Sequence, residues 1–598
     1  MDLIIPDKVS KFVAKYFFIL FKHFINNILL VFSTLFLFSC ANIIAPTGGD
    51  IDNIPPGVLN CSPANYSINF NEKEIKIYFD EYIALRNITK SLIISPPLDN
   101  KPEVKIKGKS IIIKFFDTLK ANTTYSLYFQ NAIADITENN VLNNYQYTFS
   151  TGSSIDSLVI KGRVINSNDL SPAKDIFVVL HKDLSDSSVI KNIPNYISKT
   201  NSNGEFFISN IHEGNYHIFG LNDINSNFLF DLPNEDFAFY DSLIIPKVIR
   251  KEISDTIKKD SVIKHTVFQY LPEYIILKTF QEDRQKLYLS RTERKEKNKC
   301  VFIFSKPMIN PVEIIPYKFN VQNKWNVIER NFTNDTIICW ITDTLISNMD
   351  TLNFILKYQD KDFDEKIILQ KDTAKRVFYD KSTIKKDNKT LKKDILKCNI
   401  NKSTVLDLNK NIIIESAYPI SEINYDKIIL TEIKNDSVKT PVKYSYNKDS
   451  LNLRKFYIKN TWKENTNYKL LILPGAINDI YNLNHDTLAV NFKTQSSENY
   501  GNIILTVTNV KSNIILQMFS ENNNLYSEFK LNKDKKININ NVIPGIYYFK
   551  IIYDDNNDSK WTTGNYHKKI QPENIKFYND NIKVRASWDV EINWDISK

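Results

Sequence analysis

Apolar and polar residues alternate with period two along most of the chain after residue 57. Ile75-Lys-Ile77-Tyr-Phe79, Val104-Lys-Ile106-Lys107, Tyr125-Ser-Leu127-Tyr-Phe129 and Tyr145-Gln-Tyr147-Thr-Phe149 each put one class of side chain on one face. That is the pattern of a half-buried strand. No stretch after residue 45 carries a long, capped 3.6-residue period. Short strands between Asn, Asp and Pro turns predict an all-β chain of tandem β-sandwiches. Two Lys-rich stretches, about 250–265 and 380–397, interrupt the alternation and read as linkers.

The N-terminus follows a different pattern. Lys8, Lys11, Lys15 and Lys22 precede an apolar run, Ile28 to Phe38. The run is short of the ~20 residues that a spanning helix needs and fits the apolar region of a secretory signal. It ends in Leu37-Phe38-Ser39-Cys40, which resembles a bacterial lipobox. The resemblance implies that residues 1–39 are a lipoprotein signal peptide and that the Cys40 thiol carries a diacylglycerol thioether. An uncleaved signal anchor is the alternative. Residues 40–56 hold Pro46, Gly48, Gly49, Pro55 and Pro56 and read as a tether. This segment resembles the start of a Bacteroidota family of envelope lipoproteins with Ig-like domains, in which Cys-Ala-Asn leads to Pro-Thr-Gly-Gly, an Asp and Pro-Pro. The resemblance implies an outer-membrane lipoprotein, with Asp50 and Asp52 as an acidic surface-export signal; the periplasmic or surface face stays open.

Composition narrows the classes. Of 598 residues, 42% are hydrophobic and 24% charged, ordinary globular usage that excludes a fully disordered chain and a multi-span membrane protein. Only 13 residues are Gly, which argues against Gly-rich phosphate loops. The net charge of +9 is spread among mixed Lys and Asp/Glu, with no compact Arg stripe or zinc-finger spacing, so no nucleic-acid partner is expected. The five cysteines are Cys40, Cys61, Cys300, Cys339 and Cys398, without a C-x-x-C pair; they are not a disulfide framework. Cys300 and Cys339 lie in two strand-like runs, either bridged or, as expected, two buried small apolar residues.

The chain repeats itself. Asn210, Gly214, Tyr216, Asp223, Asn225, Asn227 and Phe230 are matched by Asn541, Gly545, Tyr547, Asp554, Asn556, Asp558 and Trp561, each 331 positions later. Upstream, Asn122-Thr123-Thr-Tyr125 and Phe149-Ser-Thr151 are matched by Asn465-Thr466-Asn-Tyr468 and Phe492-Lys-Thr494, each 343 positions later. Ala132 and Asp135 match Ala476 and Asp479 with one inserted residue. A two-domain unit is therefore expected twice.

Residues 57–155 resemble the bacterial Ig-like domain first named from an S-layer protein. The resemblance rests on Ser62-Pro63, Phe79-Asp80-Glu81, Asn122-Thr123-Thr-Tyr125-Ser-Leu127 and Tyr147-Thr-Phe149-Ser-Thr151. Residues 397–497 resemble a diverged copy that lacks Phe-Asp-Glu. Residues 156–250 resemble a carboxypeptidase regulatory-like domain, a transthyretin-like sandwich, through Ile160-Lys-Gly162-Arg-Val164, Asn203-Gly204-Glu-Phe206 and Ile211-His-Glu-Gly214-Asn-Tyr216. Residues 500–598 repeat its second half. Phe302-Ile-Phe304-Ser-Lys-Pro307 suggests a weak Ig-like sandwich at 268–380.

Chemistry-bearing constellations are few. Asp223, Asn225, Asn227 and Asp231 place oxygen donors at positions 1, 3, 5 and 9 of a calcium-like loop. Phe228 stands at position 6 and Asn234 at position 12, where a calcium loop has Gly and Glu. An Asx-turn hairpin without metal is the expected reading and bound calcium the alternative. The seven histidines form no H-E-x-x-H, and His212 and His217 flank a turn as surface groups. No nucleophile–base motif is present, so no catalytic residue is assigned. Trp561, Trp588 and Trp594 cluster near the C-terminus. Period two puts Trp588 and Trp594 on one face, expected to be core, with a carbohydrate or protein platform as the alternative. The expected function is a non-enzymatic envelope lipoprotein, a scaffold that docks an envelope protein partner and fits an accessory role in outer-membrane assembly. The alternative is a surface lipoprotein that binds or processes glycans.

Overall fold

This computed structural model describes residues 15–25, 51–258, 261–283, 286–321, 324–361, 366–378, 395–401, 404–434 and 438–597, and, within the hairpin at 247–271, no side chains from 252 to 265. Cys40, the apolar run 28–38, Asp50 and most of the Lys-rich stretch 380–397 lie outside the described residues. Residues 15–25 are helical. No helix among the described residues is long and apolar enough to cross a membrane.

Past residue 57 the described chain is built of strands, and the predicted all-β class is what forms. In the first body, Val58–Ser62, Glu74–Phe79, Ser110–Lys114 and Glu103–Lys107 form one sheet, facing Gln146–Ser150, Thr124–Tyr128 and Ile93–Ser95. Ile75, Ile77 and Phe79 point into the core with Tyr125, Leu127 and Phe149, as their alternation predicts. Each such buried side chain contributes about 1.5–3 kcal/mol. Val104 is half-buried against this core, but Ile106 does not follow and is exposed, because Glu103–Lys107 is the sheet edge.

The second body is a seven-stranded sheet in the order Tyr196–Lys199, Phe177–His181, His217–Leu221, Asp236–Phe239, Ile275–Gln281, Leu158–Asn166, Glu205–Ile211. Its strand Ile275–Gln281 runs parallel to Leu158–Asn166 and antiparallel to Asp236–Phe239. Only glycine allows this approach, since a Cβ on Gly162 would sit 2.0 Å from the Ile275 carbonyl oxygen. The expected boundary at 250 is therefore wrong. It falls inside a hairpin, Lys247–Lys258 paired with Ser261–Leu271, so the described part of the stretch 250–265 is a ribbon rather than a linker. A two-stranded ribbon can meet water on both faces, so its sequence lacks the one-sided alternation that marks a sandwich strand.

The third body pairs Leu289–Glu296, Lys299–Phe304, Thr336–Ile341 and Asn326–Arg330 against Glu313–Pro316, Thr351–Lys361 and Ile367–Val377. Its core begins at Leu287, not at 268. Cys300 and Cys339 are register partners across two of its strands, both buried and both free. The fourth body has Cys398–Ile400, Ile412–Ser416, Lys455–Lys459 and Ser445–Lys448 in one sheet. Its second holds Val405–Leu406, Leu488–Thr494, Asn467–Ile472, Ile428–Lys434 and Val438–Pro441.

The fifth body extends the repeat beyond its second half. Gly501–Thr508 pairs antiparallel with Lys535–Val542 and parallel with Asp589–Asp595. This is how Leu158–Asn166 pairs with Glu205–Ile211 and Ile275–Gln281 in the second body. The 331-residue offset also holds in atomic detail: Asn210 and Asn541 adopt φ of 57° and 55°. Tyr216 Oη donates to the His212 carbonyl at 2.8 Å, and Tyr547 Oη to the Ile543 carbonyl at 2.7 Å. The 343-residue offset is equally literal. The Thr123 N–H donates to Thr151 Oγ1 at 3.0 Å, as Thr466 does to Thr494 at 3.0 Å. Tyr125 stacks on Phe149 at 5.4 Å and Tyr468 on Phe492 at 5.5 Å.

Candidate functional site

The calcium-like loop is closed by hydrogen bonds to its own backbone. Asp223 accepts the Asn227 and Phe228 N–H at 3.2 and 2.8 Å. Asp231 accepts Nδ2 of Asn225 and Asn227 at 3.0 and 2.8 Å. Ser226 and Phe228 take φ of 62° and 60°, an arrangement that turns successive N–H groups toward one carboxylate. A residue that position-counting passes over completes the loop. Glu235, fully buried, accepts the N–H of Ile224, Asp231 and Leu232 at 3.2, 3.2 and 3.1 Å. Burial pushes its carboxyl above the usual range while these donors pull it down.

The second copy repeats the device. Asp554 accepts the Asp558 and Ser559 N–H, both at 3.0 Å. Glu573, buried, accepts the N–H of Asp555 and Thr562, both at 2.9 Å. Glu573 lies eleven residues beyond Thr562, so spacing alone does not reveal that it plays the part of Glu235. Asn225 and Asn227 turn amide donors toward Asp231, as in an Asx-turn cage. Among the described residues, no group of three or more His, Cys, Asp or Glu is arranged to hold a metal.

Beside these loops the fifth body meets the second. Tyr566, buried, sits within 5.0–5.5 Å of the rings of Phe219, Phe237 and Phe239. Its N–H donates to Glu282 Oε1, and its Oη donates to the Asp186 carbonyl at 3.0 Å. Lys569 lies 3.8 Å over the Tyr566 ring and 2.7 Å from Asp186. Gln571 Nε2 donates to the Phe239 carbonyl and to Asp241 at 3.0 and 2.8 Å. Gly564 is needed here, because a Cβ would come within 2.7 Å of the Phe280 ring.

The first body also packs on the second. The Ile197 N–H donates to Ser95 Oγ at 3.1 Å, and Asn210 Nδ2 to Ser126 Oγ at 2.7 Å. A cavity of about 30 Å³ lies between them, lined in part by Ser95, Ser126, Ser198 and Ser209.

The remaining sequence candidates disperse. His212 is exposed with Nδ1 2.8 Å from Asp156, and His217 is half-buried. Trp594 is core, as expected, but Trp588 is 58% exposed with the Arg585 guanidinium 5.2 Å from its ring. The period-two reading of Trp588 fails because the strand begins only at Asp589. Trp561 is half-buried and donates Nε1 to the Glu573 carbonyl at 3.0 Å, bracing the second loop. Burial pushes the Cys300 thiol up to about 11 and raises Cys339 as well, so neither is an activated nucleophile.

Comparison with known proteins places one segment. Residues 52–151 match the bacterial Ig-like domain family. Phe79-Asp80-Glu81 belongs to that segment, and its Asp80 accepts the Gly57 N–H at 2.8 Å, pinning the start of the domain. No curated protein matches the chain. Among solved structures, the S-layer protein SbsC is 10% identical, covering 86% of this chain and 67% of its own, at a TM-score of 0.13. BcpA, the major pilin subunit of Bacillus cereus, is 11% identical over 74% of this chain and 99% of its own, at 0.13. The Bacillus anthracis TIE protein is 10% identical over 92% and 76%, at 0.12. TM-scores this low carry no argument about function.

Proposed function

We propose that the chain is a non-enzymatic lipoprotein of the bacterial outer membrane, anchored through Cys40, whose Ig-like and related sandwiches dock an envelope protein partner. The observation that carries this reading is position: the Ig-like match begins at residue 52, directly behind Leu37-Phe38-Ser39-Cys40 and its Gly/Pro tether. The physical support is that the sandwiches bury their inward faces in cores of their own. Sandwich-end loops, sheet edges and the ribbon at 247–271 remain as surfaces for a partner. Catalysis would need a pocket with convergent polar groups, and the cavity between the first and second bodies is lined by hydroxyl, amide and apolar side chains, without a carboxylate, histidine or cysteine. An accessory role in outer-membrane assembly is in keeping with such a scaffold. The contact through Tyr566 argues against a fully extended array, since it returns the fifth body to the second.

Replacing Cys40 with Ser tests the anchor. The variant should leave the membrane fraction after a carbonate wash; retention overturns the lipid anchor. Capture of the lipidated chain from solubilised membranes should recover a defined envelope protein. The second reading, a glycan-binding or glycan-processing surface lipoprotein, rests on exposed Trp588 and Arg585. Polysaccharide binding that is lost in Trp588→Ala would establish it over the first.

A further inference from the structure

The contact between the second and fifth bodies uses the same face of the repeated fold on both sides. At the 331-residue offset, Phe219 and Leu221 correspond to Lys550 and Ile552. Their register partners are Phe239 and Phe237 in one body and Phe577 and Ile575 in the other. In the second body this face receives Tyr566. In the fifth, Ile552 and Ile575 are covered by Leu170 of the second body, which holds φ of 58°. Two lysines complete the exchange. Lys550 Nζ donates to the Asn168 carbonyl at 2.7 Å, and Lys278 Nζ to Asn574 Oδ1 at 2.6 Å. Burial lowers both lysines.

We propose that this contact is a clasp within one chain: a face shared by the two copies is turned on itself, closes the chain into a loop, and opens without unfolding either copy. Three observations argue for opening as a unit. Among the described residues, no sheet contains strands of both bodies. Each body has its own core, built on Val164, Val178 and Ile218 in one and on Leu505, Leu516 and Phe549 in the other. The inserted element, Asn565 to Ile570, is a turn closed by its own bridge, so it can leave the Phe219 face without breaking a strand pair. The Lys569–Asp186 pair is exposed and worth little. The aromatic seat of Tyr566 is what holds the clasp.

The test uses the full chain carrying Asn168→Cys and Lys550→Cys, joined by a short bismaleimide. The parent should give an intramolecular cross-link. Tyr566→Asp should reduce it at least fivefold, and Tyr566→Phe should keep it. Hydrogen exchange should stay slow in strands His217–Leu221 and Gly545–Tyr553 of Tyr566→Asp while it accelerates around 562–571. Undiminished cross-linking in Tyr566→Asp would overturn the clasp. So would loss of strand protection, which would make Tyr566 part of the folding core. Cross-links between chains in the parent would also overturn it, by assigning the face to a second copy.

Discussion

Arg454 Nε lies 3.1 and 3.2 Å from the two carboxylate oxygens of Glu329, 125 residues away, and joins the fourth body to the third. Glu329 is 3% exposed and also accepts Trp340 Nε1 at 2.8 Å. Trp340 in turn meets Tyr418 of the fourth body edge-on at 5.8 Å. Removing one partner of such a pair strands a buried charge. Arg454→Ala should therefore destabilise the junction by about 2–3 kcal/mol, below the full cost of a deeply buried pair because the arginine is partly exposed. Chemical denaturation read by Trp fluorescence should show the loss. An unchanged midpoint would mean that the pair is solvated.

Asp223→Ala removes two backbone N–H acceptors and should cost about 1 kcal/mol. Asp554→Ala should behave alike, because its two bonds have the same geometry. Calcium should not shift the melting temperature of the parent. A calcium-dependent rise that Asp223→Ala abolishes would replace the Asx-turn cage with a cation site.

Asp135 and Asp479 occupy equivalent places and are both fully buried, yet their carboxyls are held in opposite directions. Burial acts upward on Asp135, but N–H donors from Glu138, Asn139 and Asn140 outweigh it and hold the carboxyl below its usual range. Asp479 accepts the Tyr481 and Leu483 N–H on one oxygen while the other has no partner among the described residues, and burial pushes it up. Asp135→Asn should lower the free energy of unfolding more than Asp479→Asn does. Comparable losses would show that both carboxylates are equally engaged.

His181 is 1% exposed, its Nε2 has no partner among the described residues, and burial depresses it to about 4. The folded form holds the ring neutral, whereas the unfolded chain protonates it near its ordinary value of 6.5. Its contribution is thus present above about pH 6.5 and is lost as pH falls toward 4, by up to about 3 kcal/mol. His181→Phe should flatten the stability profile between those values. A variant with the parent's slope there would assign the acid sensitivity elsewhere.

Strand periodicity, the lipobox-like Cys40 and both repeat offsets are properties of linear order. Period two follows from alternating Cβ directions, and a duplicated unit keeps its residue spacing wherever it folds. Phe149 and Phe492, or Tyr216 and Tyr547, were therefore legible as equivalents from the chain alone. Boundaries and partners were not. The strand Ile275–Gln281 joins its sheet only after a hairpin that carries no one-sided pattern, so the second body reads as ending too early. Glu573 serves its loop across an insertion, and Trp588 stands outside a strand whose start depends on pairing with Gly501–Thr508. Tyr566 gives no local sign that Phe219, about 350 residues earlier, is its seat. Burial and docking depend on which faces meet in space, and that is decided by packing between segments whose separation along the chain carries no information about it.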